Sequence, residues 1–358
     1  MAPNSKNTDI TELSRDELAA WFEAQGMRSF RADQVMRWIY GRKAVSFDDM
    51  TNIARPVRET LARHFIIRPL EPAGEETAAD GTRKISFALA DGSRIESVLI
   101  GEKDHYTLCI STQAGCAMGC TFCMTARSGL IRNLSAGEII GQVMAAQRMC
   151  PEDRPLTNIV LMGMGEPLAN YDNVIQALGI ITDAENGLKF ASRRITLSTA
   201  GIASRIVPLG THSKVRLAIS LNAPDNDLRS KLMPVNKTYP IETLLEACKA
   251  YSRLQRDRIT FEYILLRDVN DSPGHARKLA KLLAPVRGKI NLIPFNPHEG
   301  SPFRRPDPAV IEAFHAVLIE KHYTAMIRWS KGEDISAACG QLAAKTSGKT
   351  NPHAPQAL

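Results

Sequence analysis

The chain has 358 residues, 44% hydrophobic and 23% charged, which excludes wholesale disorder and collagen-like repeats and suits a barrel-sized domain with a smaller accessory one. No apolar run approaches the ~20 residues needed to span a bilayer, and the polar start MAPNSKNTDI lacks a signal-peptide core, so a cytoplasmic protein off the membrane is expected. Seven cysteines are too few for a disulfide scaffold, while 45 basic against 38 acidic side chains, net +7, lean toward an anionic partner without requiring one.

Residues 1–80 read as a basic helical unit followed by a linker. LSRDELAAWFEAQG places Leu18, Trp21 and Phe22 at helical spacing and stops at Gly26; RADQVMRWIYGRK does the same with Val35, Met36, Ile39 and Tyr40 before Gly41. PVRETLARHFI is a third helical stretch. Arg28, Arg31, Arg37, Arg42, Lys43 and Arg58 give these helices a basic side, for which a solvated face is the bland alternative. EPAGEETAADG, residues 71–81, has no periodicity and reads as a linker. KISFALADGSRIESVLI alternates around Asp91-Gly92, which predicts a β-hairpin extension over 81–104.

From Tyr106 the chain alternates apolar strands with helices. The strands are YTLCIST, LTNIVLMGM, RRITLST, VRLAISL, RITFEYILL, KINLIPF and finally TAMIRWS. Helix starts are marked by Ser135-x-x-Glu138, Ser272-Pro273 and Asp307-Pro308. Six strand–helix repeats predict an α/β fold with a parallel sheet buried on both faces, closing as a partial (β/α)6 barrel over 105–343. The repeat by itself does not separate a barrel from a doubly wound sheet. The polar tail, 344–358, is expected to be disordered.

In parallel α/β folds chemistry gathers at the carboxyl ends of the strands. There, after the first core strand, the chain reads Cys116-Ala-Met-Gly-Cys120-Thr-Phe-Cys123. Gly115, Ala117 and Gly119 leave room for this loop to wrap a metal centre. Zinc is the serious competitor, since three cysteines and one further ligand make a normal zinc site. No second CxxC or His pair completes one; His105 and His212 stand alone and read as structural. Three thiolates also suit a 4Fe–4S cluster whose fourth iron stays open. Later strand ends place Gly165 and Glu166, Ser198, Ser220, Leu221 and Asn222, and Asn296 at the same rim, where they could hold a ribose, an adenine or an amino group.

The C-x3-C-x2-C spacing at the end of a first barrel strand resembles the radical S-adenosylmethionine (SAM) superfamily. That resemblance implies one 4Fe–4S cluster on Cys116, Cys120 and Cys123, with SAM on the open iron and a 5′-deoxyadenosyl radical on reduction. It narrows outside the loop. Cys109, MGMGEPL, ITLSTAG, NLIPFNP, the helical amino-terminal unit and the AACGQL segment are together similar to the bacterial dual-specificity 23S rRNA and tRNA adenine-C2 methyltransferases and their C8-methylating relatives, from about residue 10 to 343. The likeness implies that Cys339 carries the methyl, that Cys109 resolves the protein–RNA adduct through a transient disulfide with Cys339, and that Glu96 accepts a proton. It further implies SAM contacts from Gly165, Glu166, Ser198, Ser220, Leu221, Asn222 and Asn296. With it come two SAM per turnover, a low-potential electron donor such as flavodoxin, and a monomer. One departure is Asn222, where the family often has His; Asn still donates and accepts hydrogen bonds.

Chemistry supports the two outlying cysteines. Adenine C2 is an electron-poor carbon that ordinary methyl transfer cannot reach, whereas a thiolate takes a methyl readily and a carbon radical adds to the ring. Breaking the resulting thioether needs a second thiol. Cys150 and Cys248, within or at the end of helical stretches, are read as structural. Bringing RNA in requires an unstacked base and gripped phosphates, for which Arg31, Arg42, Lys43, Arg127 and Arg132 are candidates by position. Alternatives are the same chemistry at C8, a non-catalytic metal-bearing RNA-binding protein, and a radical enzyme acting on a small molecule, which would leave the basic helical unit unexplained.

Overall fold

The computed structural model describes residues 8–342; the tail expected to be disordered, 344–358, lies outside them. Among the described residues no helix is long and apolar enough to cross a membrane. Ten strands form one sheet whose order follows the chain from Pro72–Thr77 at one edge to Ala325–Ile327 at the other. Seven of them run parallel, starting with Tyr106–Cys109 and continuing through Leu156–Leu161, Ile195–Thr199, Arg216–Ser220, Ile259–Leu265 and Gly288–Pro294 to Ala325–Ile327.

A doubly wound sheet reverses its strand order at a switch point; this one never does. The sheet also curls. The Ser198 hydroxyl donates to a Glu262 carboxylate oxygen at 2.8 Å across the intervening strand, and side chains of strands far apart in the order surround one cavity. The fold is therefore a partial barrel, open at both edges, with the helices between its strands on the outside.

The helix-start signals hold. Ser135 and Glu138 form a reciprocal capping box, and Ser272 accepts from the His275 backbone ahead of Pro273–Leu283. Asp307 precedes Pro308–Glu320 without a side-chain cap bond. The hairpin turn is present around Asp91-Gly92, but it belongs to a larger structure. Residues 72–77, expected as linker, form the outermost strand, antiparallel to Arg83–Ala88. All six of its residues are exposed, so neither face imposes hydrophobic alternation, and backbone pairing with an Arg83–Glu75 ion pair holds the strand instead. The extension is thus a three-stranded meander, joined antiparallel to the first barrel strand through Arg94–Gly101.

At the amino terminus, helices Arg15–Ala24, Phe30–Met36 and Arg55–His64 pack with a short parallel pair, Thr8–Asp9 and Phe65–Ile66. The second helix runs on through a single π turn, Arg37–Gly41. Leu18, Phe22, Val35, Met36, Ile39 and Tyr40 are buried, with Trp21 edge-on to Phe22 and Phe65. They join the same hydrophobic core as the barrel helices, so the helical unit is seated on the barrel. Glu12 fastens it: its carboxylate accepts from the Ser135 hydroxyl (2.6 Å) and the Gly137 N–H (3.2 Å), placing negative charge at the start of helix Ala136–Met149. Its carbonyl accepts from Gln176 at 2.7 Å.

Glu12→Ala leaves two donors at that interface without their acceptor and is expected to cost about 2 kcal/mol. Chemical denaturation followed by circular dichroism measures this, and an unchanged midpoint would place the docking energy elsewhere.

Candidate active site

The first barrel strand ends at Cys109, and the chain then enters a small ribbon of Gln113–Gly115 against Leu130–Asn133. The cysteine loop is strung between these two strands. Gly115 has φ +75°, and a Cβ there would lie 1.9 Å from the Gly129 carbonyl oxygen, the same oxygen that accepts from the Cys116 N–H at 2.9 Å. No other residue type fits the ribbon at that approach. Gly119, at φ +67°, supplies the second left-handed turn.

Phe122, Leu232, Met233, Leu266 and Phe295 form a separate apolar cluster against which Cys120 and Cys123 pack. Burial pushes the Cys116 thiol up to about 12 and the Cys120 thiol well above its ordinary value, and neighbouring thiols add to both. A bound cation reverses that penalty by deprotonating the thiols that hold it. Among the described residues no three His, Cys, Asp or Glu side chains gather tightly enough to share one ion. The donor set fits a cluster with one iron per thiolate.

Behind the loop lies Arg229, fully buried. It donates to the carbonyls of Leu221 (3.1 Å), Ser220 (3.2 Å) and Ala200 (2.6 Å) and to the Asn236 amide oxygen (2.9 Å). Burial pulls its guanidinium down to about 10, with Cys120 opposing that shift. Arg229 thus ties together the exits of two barrel strands beside the cysteines; no sequence signal had marked it.

The expected rim residues are gathered, though several are already engaged. Gly165 has φ +102°, and a Cβ would stand 2.6 Å from Gln113. The buried Glu166 carboxylate accepts from the Leu168 N–H (3.0 Å), the Thr199 hydroxyl (2.7 Å) and the Ala200 N–H (2.6 Å). It locks the second strand exit to the third, and burial raises its carboxyl. Asn222, in the left-handed region at φ 57°, accepts from the Ile264 N–H at 2.9 Å. Asn296 donates to Ser330 (2.9 Å) and to the Cys339 carbonyl (3.2 Å).

That last bond joins the two halves of the site. The Met124 N–H donates to the Gly340 carbonyl at 2.7 Å and the Thr125 hydroxyl to the Leu342 carbonyl at 2.6 Å, so the carboxyl-terminal turn lies on the cysteine loop. Cys109, Cys123 and Cys339 consequently line one cavity of about 210 Å³, with Val98, Ile100 and Glu262 among its walls. Cys339 is accessible, yet burial in the surrounding protein, then the Glu262 charge, pushes its thiol up to about 11. Cys109 is buried and its thiol is raised further, first by burial and then by Cys339 itself, which marks the two as neighbours. Glu96 is buried on the meander strand next to this barrel strand, on the face of Val98 and Ile100, with Lys84 at 4.0 Å. Glu262 was missed by sequence reasoning, since one glutamate in the apolar strand RITFEYILL carries no spacing signal. A charge at an inward position of a barrel strand was the only available hint.

Of the proposed RNA contacts, Arg132 is committed to Glu138 (2.7 Å) and Asp91 (2.6 Å), clamping the hairpin turn to a helix start. Arg42 lies over the Trp38 ring and Arg31 over Phe30; Lys43 is exposed, and exposed Arg127 donates to the Glu299 carbonyl. His105 and His212 are hydrogen-bonded, to Asp104 and Tyr171 respectively. Cys150 ends helix Ala136–Met149, and Cys248 is buried within Ile241–Gln255.

A glycine-wrapped triad of cysteines in the loop after the first strand of an open parallel barrel is the arrangement of radical SAM proteins, and the sequence profile of the Radical SAM superfamily matches residues 110–280. A second profile, the ribosomal RNA large subunit methyltransferase N-terminal domain, matches residues 8–67. The chain is 58% identical over 337 residues to the dual-specificity RNA methyltransferase RlmN of Desulfosudis oleivorans, covering 94% of this chain and 91% of that one. It is 50% identical to the same-named protein of Syntrophus aciditrophicus, covering 94% and 97%. A crystal structure of a radical SAM methyltransferase from Sphaerobacter thermophilus superposes with a TM-score of 0.89 at 44% identity, covering 94% of this chain and 100% of that one. The chain belongs to the RlmN family of dual-specificity RNA methyltransferases.

Gly115→Ala is expected to abolish iron binding on anaerobic reconstitution, because the added carbon collides with the Gly129 carbonyl. Gly41→Ala, in open space, should keep full iron content and change stability by no more than about 1 kcal/mol. Iron analysis and thermal melting of the pair decide whether the loop needs that glycine.

Proposed function

We propose that this enzyme places a methyl group on C2 of adenosine in 23S rRNA and in tRNA beside the anticodon. The observation that supports this best is the shared cavity of Cys109, Cys123 and Cys339, which brings a cluster ligand and two further thiols to one point. Cys116, Cys120 and Cys123 would hold the 4Fe–4S cluster; Gly165, Glu166, Ser198, Ser220, Leu221, Asn222 and Asn296 would hold SAM. When bound, the two supply an electrophilic methyl group and a hydrogen-abstracting radical.

The chain's own residues do the rest. Cys339 loses its thiol proton to the solvent it is exposed to, and as thiolate accepts the methyl to become a thioether. Loss of one hydrogen atom from that methyl leaves a methylene radical on the Cys339 sulfur, which adds to adenine C2. Glu96 takes the C2 proton. Cys109 then attacks the Cys339 sulfur and gives up its thiol proton, the carbon–sulfur bond to the adduct breaks, and the freed methylene takes up that proton to complete the methyl group. The adduct's odd electron passes to the redox system, and the cysteines end as a disulfide that an external reductant must reopen. Lys84 stands 4.0 Å from the Glu96 carboxylate. The exposed residues Arg42, Lys43 and Arg127 are the phosphate contacts we assign; Arg132 serves the fold. The reading carries with it a cytoplasmic, monomeric enzyme served by a low-potential donor such as flavodoxin. Mass spectrometry of digested RNA, giving 2-methyladenosine and no 8-methyladenosine, tests the site of attack.

Ala at Cys116, Cys120 or Cys123 should remove the cluster's broad visible absorption, and protein that stays colourless with about one zinc would exclude the radical mechanism. Cys339→Ala should keep the cluster and lose RNA methylation, and the wild-type peptide containing Cys339 should carry one extra methyl by mass spectrometry.

Cys109→Ala should keep that methyl and still form the adduct, so RNA stays covalently attached as a nuclease-sensitive shift on a denaturing gel. Full turnover without trapped RNA would remove Cys109 from the mechanism.

A further inference from the structure

The base of the barrel, opposite the cysteine loop, holds a second concavity. It lies where Ile259–Leu265, Gly288–Pro294 and Ala325–Ile327 begin, between helix Pro273–Leu283 and the end of helix Pro308–Glu320. Its volume is about 660 Å³, and Arg258, Arg277, Lys281, Arg287, Lys321 and His322 line it without any carboxylate. All six are exposed.

Part of this charge has an ordinary cause. Lys281 sits in the last turn of one helix and Lys321 just after another, where cations offset the helix dipole, and Lys321 is paired with Glu320 at 3.1 Å. Arg277 is near the middle of its helix, and Arg258 and Arg287 immediately precede strands, so the dipole accounts for none of these. Among the described residues the three guanidiniums enter no ion pair, and no carboxylate lines the hollow they share. Unpaired like charges around a hollow repel one another unless an anion of several charges fills it.

We propose that this cleft is a second RNA contact, gripping backbone phosphates of the part of the substrate that lies outside the catalytic mouth. The inference rests on the RNA-methylating function proposed above. An acidic electron donor fits the charge but not the place, since it must approach the cysteine loop at the other end of the strands. Seven residues of strand separate the two ends, roughly 20 Å. An RNA helix of roughly 16 base pairs, the span that one double-stranded RNA domain covers, is longer than that. An RNA whose target base enters the mouth can therefore reach around the barrel wall.

The test compares the wild type with the exposed-site triple variant Arg258→Ala, Arg277→Ala, Arg287→Ala, reading fluorescence anisotropy of full-length tRNA and of an isolated anticodon stem–loop across a KCl series. The variant should bind full-length tRNA at least about tenfold more weakly, with the log–log salt slope reduced by about 2, since each phosphate contact contributes roughly 0.7–0.9. Stem–loop affinity and the methyl on Cys339 should stay at wild-type levels, which also shows that the variant is folded. Unchanged tRNA affinity and slope would overturn the proposal, as would equal losses on both RNAs. So would loss of binding to phosphatidylglycerol vesicles with tRNA binding intact, which would assign the cleft to a membrane. A wild type that binds neither RNA would instead refute the proposed function itself.

Discussion

Three hydrogen bonds to backbone carbonyls decide what this barrel can do. Asn296 holds the Cys339 carbonyl, the Met124 N–H holds that of Gly340, and the Thr125 hydroxyl holds that of Leu342. The last two join residues more than two hundred positions apart, and Cys339 comes to face Cys109 and Cys123 across one cavity. Further anchors stand behind this turn. Lys84 donates to the Ile335 carbonyl at 2.6 Å, Asp80 accepts from the Gly332 N–H at 2.9 Å, and Asp334 accepts from the Ala79 N–H at 2.9 Å. The meander thus has a task beyond extending the sheet: it supports the carboxyl-terminal segment that bears Cys339.

Around that point the rim is built of buried polar groups whose partners are mostly protein. Glu166 takes three donors, Arg229 reaches four acceptors, and the Asn270 amide donates to the Asn222 carbonyl at 2.9 Å. Such groups are costly when left unpaired, so the network fixes strand exits in one arrangement. A site that must position a radical next to one ring carbon gains from this rigidity, because misplacement of about 1 Å can cost a hundredfold in rate. The same logic separates the two classes of arginine here. Arg132 and Arg229 are structural clamps within the fold, while the unpaired arginines at the barrel base face outward.

Much of this was legible in the residues. The cysteine spacing, the glycines beside it and the strand–helix rhythm are local patterns, set by backbone conformation and by a two-face burial that every parallel strand feels. Other features left no such trace. Residues 72–77 form a strand exposed on both faces, so no alternation could announce it. Glu262 is one acid in an apolar strand, and the sequence holds no register that would place it beside Ser198 and the two thiols. Arg132 looked free for phosphate only because Asp91 and Glu138 meet it through a fold-level contact.

The sequence by itself determined the parts: three thiols that wrap on glycine, apolar strands that need helices on both sides, and two further cysteines outside that triplet. Only the tertiary structure decided how they meet. Strand order running without reversal chose a curled barrel over a doubly wound sheet, since neighbour pairing is a long-range choice that the repeat leaves open. The docking of the last described residues against the cysteine loop then chose Cys339 and Cys109, rather than Cys150 or Cys248, as the thiols that share a cavity. Proximity across more than two hundred residues is a property of packing, and packing is written in no single stretch of chain.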